Sequence, residues 1–221
     1  MLLYPSLLPI CDISGDETAP LLKAAHALQK AGVDGLHLDF MAPPTMPRTT
    51  FAPDLPKRLR AGGITLPLDV HLMTPTSWIA DLPLECCNSL TFHPKSTDNL
   101  SDILEWFAYM QNKCNDYGLA LDVEGDVEDW REALQHPLCR RALIMTVQAG
   151  AGGQAFQPVM LHKIQYLKAI NPQIQVMVDG GVNAQTWPLA EAAGADAAVA
   201  GSALFKTQDI EYNIKVLKNI N

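Results

Sequence analysis

Paired cysteines, excess basic charge and long apolar runs are all missing from this sequence, and each absence removes a class of protein. The five cysteines, Cys11, Cys86, Cys87, Cys114 and Cys139, are odd in number, two are adjacent, and none form a Cys-x-x-Cys pair. That usage fits reduced thiols in a cytoplasm better than a disulfide framework. Lys and Arg number 16 against 24 Asp and Glu, a net charge of −8. Nucleic acid is therefore not expected as a partner, since a phosphate backbone needs a basic surface. A small phosphorylated substrate is not excluded, because local amides and a helix N-terminus suffice to hold one. No apolar stretch is long enough to span a bilayer, so no membrane partner is expected. The opening Met1-Leu2-Leu3-Tyr4-Pro5 lacks a basic leader, is interrupted by Pro5 and Pro9, and reads as a strand rather than a signal peptide.

What is present is a chain of 221 residues, 48% hydrophobic and 18% charged, enough to bury a sizeable core. Short apolar runs alternate with longer amphipathic stretches. Strands are expected over 2–8, 35–40, 66–72, 89–93, 118–122, 142–147, 174–178 and 197–200. Helices are expected over 18–31, 54–61, 75–82, 99–116, 127–134, 158–170, 184–193 and 209–220. Pro53 before Asp54, Thr74 before Pro75, and Pro158 are start signals; Gly32 and Gly194 are stops. Strict alternation of strand and helix points to an α/β fold with a parallel sheet, and eight units in this length suit a compact (β/α)8 barrel. A doubly wound open sheet is the competing architecture, but its strands would be more continuously apolar. No linker or composition shift divides the chain, so residues 1–221 are expected to form one barrel domain.

The sharpest pattern is His37-Leu38-Asp39 within Gly35-Leu36-His37-Leu38-Asp39-Phe40-Met41. Side chains two apart on a strand share a face, so His37 and Asp39 point one way and Leu36, Leu38 and Phe40 the other. In Leu68-Asp69-Val70-His71-Leu72-Met73, His71 shares its face with Asp69 and Met73. In Ile174-Gln175-Val176-Met177-Val178-Asp179, Asp179 shares its face with Gln175 and Met177. Aliphatic side chains thus face outward and polar ones inward on three strands. A lone strand His is more often a hydrogen-bonded core residue, and a lone strand-end Asp is often a helix cap. Two imidazoles and two carboxylates converging on one barrel mouth form a divalent-metal set instead, suited to Zn, Fe, Mn or Co. Three glycine-bearing loops follow successive strands at Gly150-Ala151-Gly152-Gly153, Gly180-Gly181 and Gly201-Ser202. They allow backbone amides close to an anion.

On these stretches the chain resembles the ribulose-phosphate 3-epimerase family over nearly its whole length. The resemblance is carried by Pro5-Ser6-Leu7-Leu8, His37-Leu38-Asp39-Phe40-Met41, Pro67-Leu68-Asp69-Val70-His71-Leu72-Met73, Gly152-Gly153-Gln154-Ala155-Phe156, Val178-Asp179-Gly180-Gly181-Val182 and Ala200-Gly201-Ser202-Ala203-Leu204-Phe205. Related decarboxylases and hexulose-phosphate synthases carry Asp-x-Lys-x-x-Asp on the third strand, where this chain has Asp-Val-His-Leu-Met from Asp69. The resemblance implies a ribulose-phosphate-binding (β/α)8 TIM barrel and an isomerase that inverts C3 of a ketose phosphate, D-ribulose 5-phosphate first among them. It implies one divalent metal held by His37, Asp39, His71 and Asp179, with Asp39 and Asp179 as the acid/base pair. Ser6 and His71 would touch substrate. Met41, Met73 and Met145 would wall the site, and Gly150, Ala151, Gly152, Gly153, Gly180, Gly181, Gly201 and Ser202 would hold the phosphate. One carboxylate removes the C3 proton, the other returns one from the opposite face, and a metal would stabilise the enediolate between.

The chain departs from the family pattern at Ala42-Pro43, Arg48, His93-Pro94-Lys95-Ser96, Asp122-Val123-Glu124-Gly125-Asp126, Ala149 and Ala151. None replaces an implied ligand, but several lie in loops that would cover substrate. Two other readings therefore stay open: an epimerase for a hexulose 6-phosphate, and a catalytically silent sugar-phosphate-binding barrel. Homo-oligomerisation is left open as well.

Overall fold

A computed structural model describes residues 1–11, 18–96, 99–150 and 153–218. Its strands are β1 (Leu2–Pro5), β2 (Leu36–Met41), β3 (Leu68–Met73), β4 (Ser89–Phe92), β5 (Asp116–Leu121), β6 (Arg141–Met145), β7 (Gln175–Asp179) and β8 (Ala197–Ala200). They form one 8-stranded parallel sheet in the order β1-β8-β7-β6-β5-β4-β3-β2. The two ends of that order meet through an isolated parallel bridge, Ser6 to His37, in which the Leu7 N–H donates to the His37 carbonyl at 3.1 Å. Outside lie α1 (Thr18–Lys30), α2 (Leu55–Ala61), α3 (Leu100–Met110), α4 (Arg131–Gln135), α5 (Leu161–Ile170), α6 (Trp187–Ala192) and α7 (Ile210–Lys218). This is a (β/α)8 TIM barrel.

Alternation along the strands divides the core as the sequence implies. Leu36, Leu38, Phe40, Leu68, Val70, Leu72, Ile174, Val176 and Val178 belong to the large apolar cluster between sheet and helices. Each such fully buried side chain contributes on the order of 1.5–3 kcal/mol. A second, smaller cluster of Tyr4, Ala120, Leu143, Met145, Val147, Met177, Ala197 and Val199 fills the opposite strand face. Gly118 is required there: a Cβ at that position would sit 1.7 Å from the Arg141 carbonyl oxygen.

Several expected elements differ, each for a local reason. The first strand stops at Pro5, which has no N–H to donate, and a 3-10 turn at Leu8–Ile10 replaces its end. Between Pro75 and Pro83 only a 3-10 turn, Thr76–Ala80, replaces the expected helix 75–82. The expected helix 99–116 ends at Met110, because Asp116 and Tyr117 pair with Ser89 and Leu90 in the sheet. Asn99 is its N-cap, accepting from the Asp102 N–H at 3.2 Å. The helix expected over 184–193 begins only at Trp187, with Asn183 and Thr186 organising the turn before it. Among the described residues, no helix begins directly after Gly180-Gly181 or Gly201-Ser202; α6 starts at Trp187 and α7 at Ile210.

None of the five cysteines is in a disulfide. Burial pushes the Cys87 thiol up strongly and those of Cys114 and Cys139 up to about 12. In native protein at pH 8 these three are expected to resist a disulfide-exchange reagent for minutes, whereas all five react in guanidinium. Rapid native labelling of Cys87, Cys114 or Cys139, mapped by mass spectrometry, would contradict this packing.

Candidate active site

His37 enters the site as the second residue of β2, lower along its strand than the C-terminal position expected for all four ligand candidates. The stagger of the barrel compensates. Asp39 stands in register with His71, and Met145 with Asp179. One ligand atom from each of His37, Asp39, His71 and Asp179 lies within 4.8 Å of all the others. Asp39 Oδ1 is 3.2 Å from both His37 Nε2 and His71 Nδ1. Asp179 Oδ2 is 3.8 Å from the first and 3.7 Å from the second. The cluster thus opposes one Nε2 and one Nδ1 to two carboxylates.

The donor atoms fit a divalent cation on the structure's own terms. His37 is 0% exposed, its Nδ1 lies 2.6 Å from Asp69 Oδ2, and its Nε2 has no hydrogen-bond partner among the described residues. A carboxylate can only accept, so Nδ1 carries the proton and the other nitrogen is aimed unpartnered into the cluster. A cation there removes that deficit.

Asp69 is itself tightly held. It accepts from Arg141 and Ser89, while the Arg141 guanidinium also reaches Ser89 Oγ at 2.5 Å and Gln175 Oε1 at 2.6 Å. Burial alone would raise the Asp69 carboxyl, but the Arg141 charge and the His37 contact outweigh it and hold it well below the usual carboxylate range. Burial likewise opposes charge on His37, yet Asp39 lifts it well above an ordinary imidazole, so a second proton, on Nε2, competes with a cation for that nitrogen. Burial and the neighbouring His93 push His71 down to about 4, leaving it a neutral donor. Asp39 is driven far down, because the charge of His37 overcomes desolvation. Asp179 is pushed up to about 7 by burial and by the charge on Asp39. Two carboxyls in one site have split, as close carboxyl pairs do.

Above the cluster opens a cavity of about 550 Å³. Of the residues singled out in the sequence, Ser6, Asp39, Met41, Met73, Met145, Gly150, Gly153, Asp179, Gly180, Gly181, Gly201 and Ser202 all line it. Ala151 and Gly152 lie outside the described residues. His37 and His71 are 0% exposed and are not among the residues that line the cavity. Ser6 Oγ donates to Asp39 Oδ2 at 2.6 Å and accepts from the Leu8 N–H at 3.1 Å, tying the carboxylate to the barrel seam. Thr146 holds the other carboxylate's strand end, donating to the Asp179 and Gly180 carbonyls at 2.9 and 2.6 Å. Gly181 has φ +65, and a Cβ there would lie 2.5 Å from the Phe156 nitrogen, so only glycine brings these turns together.

Some site residues were not foreseen. Arg141 as a partner of Asp69, Gln175 as the acceptor for Arg141, and Lys206 on the cavity wall carried no motif. The one available signal was parity, which puts Arg141 on the same strand face as Leu143 and Met145.

A buried His/Asp cluster that could coordinate a divalent metal, at the floor of a barrel-mouth cavity, is the arrangement of a metal-assisted enzyme. The sequence model of the ribulose-phosphate 3 epimerase family matches residues 5–205, and the chain belongs to that family; its activity is of the isomerase, epimerase type. A ribulose-phosphate 3-epimerase of Schizosaccharomyces pombe is 33% identical over 97% of this chain and 91% of its own length. That of Escherichia coli K12 is 32% identical over 93% and 88%. Among solved structures, a 3-hexulose-6-phosphate synthase superposes with TM-score 0.65 at 19% identity, covering 100% of this chain and 99% of its own. A phosphoribosyl anthranilate isomerase of Thermus thermophilus gives 0.66 at 16%, covering 99% and 100%. These two likenesses speak for the fold alone.

Separating the Arg141–Asp69 pair is expected to be costly. Arg141→Met leaves a carboxylate 1% exposed without its cation and should lower unfolding free energy by about 3–5 kcal/mol. Arg141→Met combined with Asp69→Asn should recover part of that loss. Denaturant unfolding of the three variants checks both expectations.

Proposed function

We propose that this protein is a metal-dependent epimerase that inverts C3 of a ketose phosphate, interconverting D-ribulose 5-phosphate and D-xylulose 5-phosphate. The observation that carries the reading is the placement of Asp39 and Asp179. They are the only carboxylates among the described cavity-lining residues, and both also belong to the four-residue cluster beneath the cavity. Inversion next to a ketone needs one group to remove the C3 proton and another to deliver one from the opposite face. Asp39 and Asp179 take these two parts. His37, Asp39, His71 and Asp179 hold one divalent ion, with Zn, Fe, Mn and Co as the candidates their donor atoms suit. When bound, that ion supplies Lewis-acid stabilisation of charge developing on the substrate oxygens.

The chain's own residues do the rest. Met41, Met73 and Met145, 1%, 2% and 3% exposed, line the cavity with polarisable apolar surface that keeps water from the reacting carbon. Ser6 fixes the Asp39 carboxylate and borders the substrate. Amides of Gly150, Gly153, Gly180, Gly181, Gly201 and Ser202 hold the phosphate, with Ala151 and Gly152 completing the first loop. Arg48 and Lys206 are the only cationic residues on the described cavity wall and add positive potential for a phosphate. The whole chain, 1–221, acts in this reading as one barrel domain in the cytoplasm.

The test is deuterium incorporation at C3 from heavy water, across pentulose 5-phosphates and hexulose 6-phosphates, with metal-loaded protein. Exchange with D-ribulose 5-phosphate is the expected result. Exchange confined to a hexulose 6-phosphate would reassign the substrate, and none with any member would sink the catalytic reading in favour of a silent binding barrel. Asp179→Asn is expected to abolish exchange with the circular dichroism spectrum unchanged.

A further inference from the structure

The geometry points to His93 and Asp122 as positioning residues for the metal centre: through two successive hydrogen bonds they fix which nitrogen of His71 faces the cluster. His71 Nε2 lies 2.9 Å from His93 Nε2, and His93 Nδ1 lies 3.2 Å from Asp122 Oδ1. His71 is 0% exposed and His93 5%, and their rings are 5.0 Å apart between centroids. The direction of the chain follows from its far end. An ionised carboxylate only accepts, so His93 donates from Nδ1. A neutral ring donating there offers only a lone pair at Nε2, which must be met by a proton on His71 Nε2. The lone pair of His71 is thereby left on Nδ1, the atom 3.2 Å from Asp39 and 3.7 Å from Asp179.

The far end is anchored from two sides. Lys95 Nζ lies 3.6 Å from Asp122 Oδ2. Lys163, only 3% exposed, donates to the backbone carbonyls of Asp122, Val123 and Gly125 at 2.6, 3.3 and 3.0 Å, pinning the loop that follows β5. Lys95 and Asp122 lie in two segments where this chain departs from its family's pattern, and the structure brings those departures together as an ion pair. His37 obtains the equivalent service from Asp69 directly, with one hydrogen bond instead of two. Outer partners of this kind set ligand orientation and basicity.

The inference rests on reading the four-residue cluster as a metal centre. Its test is Co²⁺ titration of metal-free protein, followed by the visible ligand-field band and by chelator competition. His93→Leu, which cannot accept from His71, should weaken Co²⁺ affinity by about 10–100-fold and shift the band. His93→Gln, whose carboxamide oxygen still accepts, should restore affinity to within a few-fold of the parent. Asp122→Ala should weaken it by about 10-fold, and Asp122→Asn, which keeps an acceptor oxygen, by less. Thermal melting of the metal-free variants accompanies each titration. Parental affinity and band shape in His93→Leu and Asp122→Ala would overturn the assignment. So would equal losses in His93→Leu and His93→Gln alongside lowered melting, the signature of a merely structural role. No Co²⁺ binding by the parent protein would instead overturn the metal reading, and this one with it.

Discussion

Two carboxylates and two imidazoles buried within reach of one another are the constraint on which this structure depends. In water such a group would separate or protonate freely; inside a barrel neither is free of cost. Each member is therefore backed by a specific partner. Asp39 accepts from Ser6, His37 is held by Asp69, His71 by His93, and the Asp179 strand end by Thr146. The His37 Nε2, unpartnered among the described residues, marks where a divalent cation could sit between the carboxylates.

The cluster explains an otherwise costly feature. A guanidinium 3% exposed, buried with a carboxylate 1% exposed, is poor material for a core built only for stability. Asp69 must be ionised and immobile to present His37 correctly, and Arg141 makes it both. Ser89 and Gln175 then satisfy donors and acceptors that the pair leaves over. The barrel interior is thus divided: a charged network supports the four-residue cluster, while Met145, Val147, Met177 and Val199 fill the space beside it with apolar bulk. The outward strand faces, all aliphatic or aromatic, carry the packing against the helices and so leave the interior free for this use.

Alternation of apolar runs with amphipathic stretches made the fold legible, and the period-two pattern of β2, β3 and β7 made the four cluster residues so, because parity is a local property of consecutive residues. What parity could not convey was partnership between strands distant in sequence. Asp69 shares a face with His71 by inspection, yet that it serves His37 and answers to Arg141 depends on barrel stagger, which no single strand records. Element ends differ where a proline shortens a strand, as at Pro5, or where a proline or a sheet pairing overrides helical pattern, as at Pro75 and Asp116. The glycine-bearing loops at Gly150, Gly153, Gly180, Gly181 and Gly201 border the cavity. Turn chemistry at Asn183 and Thr186 delays α6 to Trp187.

The seam has a consequence for how the molecule assembles. β1 pairs along its whole length with β8, from Leu2 with Ala197 to Pro5 with Ala200, but meets β2 through a single bridge at Ser6. Of these eight strands, the first in sequence therefore has its main partner in the last. Contacts of such long sequence separation form late, after the loop-closure entropy between them has been overcome. Ser6 cannot settle on Asp39 until β8 has arrived to hold β1. The centre is completed by the same event that shuts the barrel, and a nascent chain short of β8 carries all four cluster residues without the scaffold that brings them together.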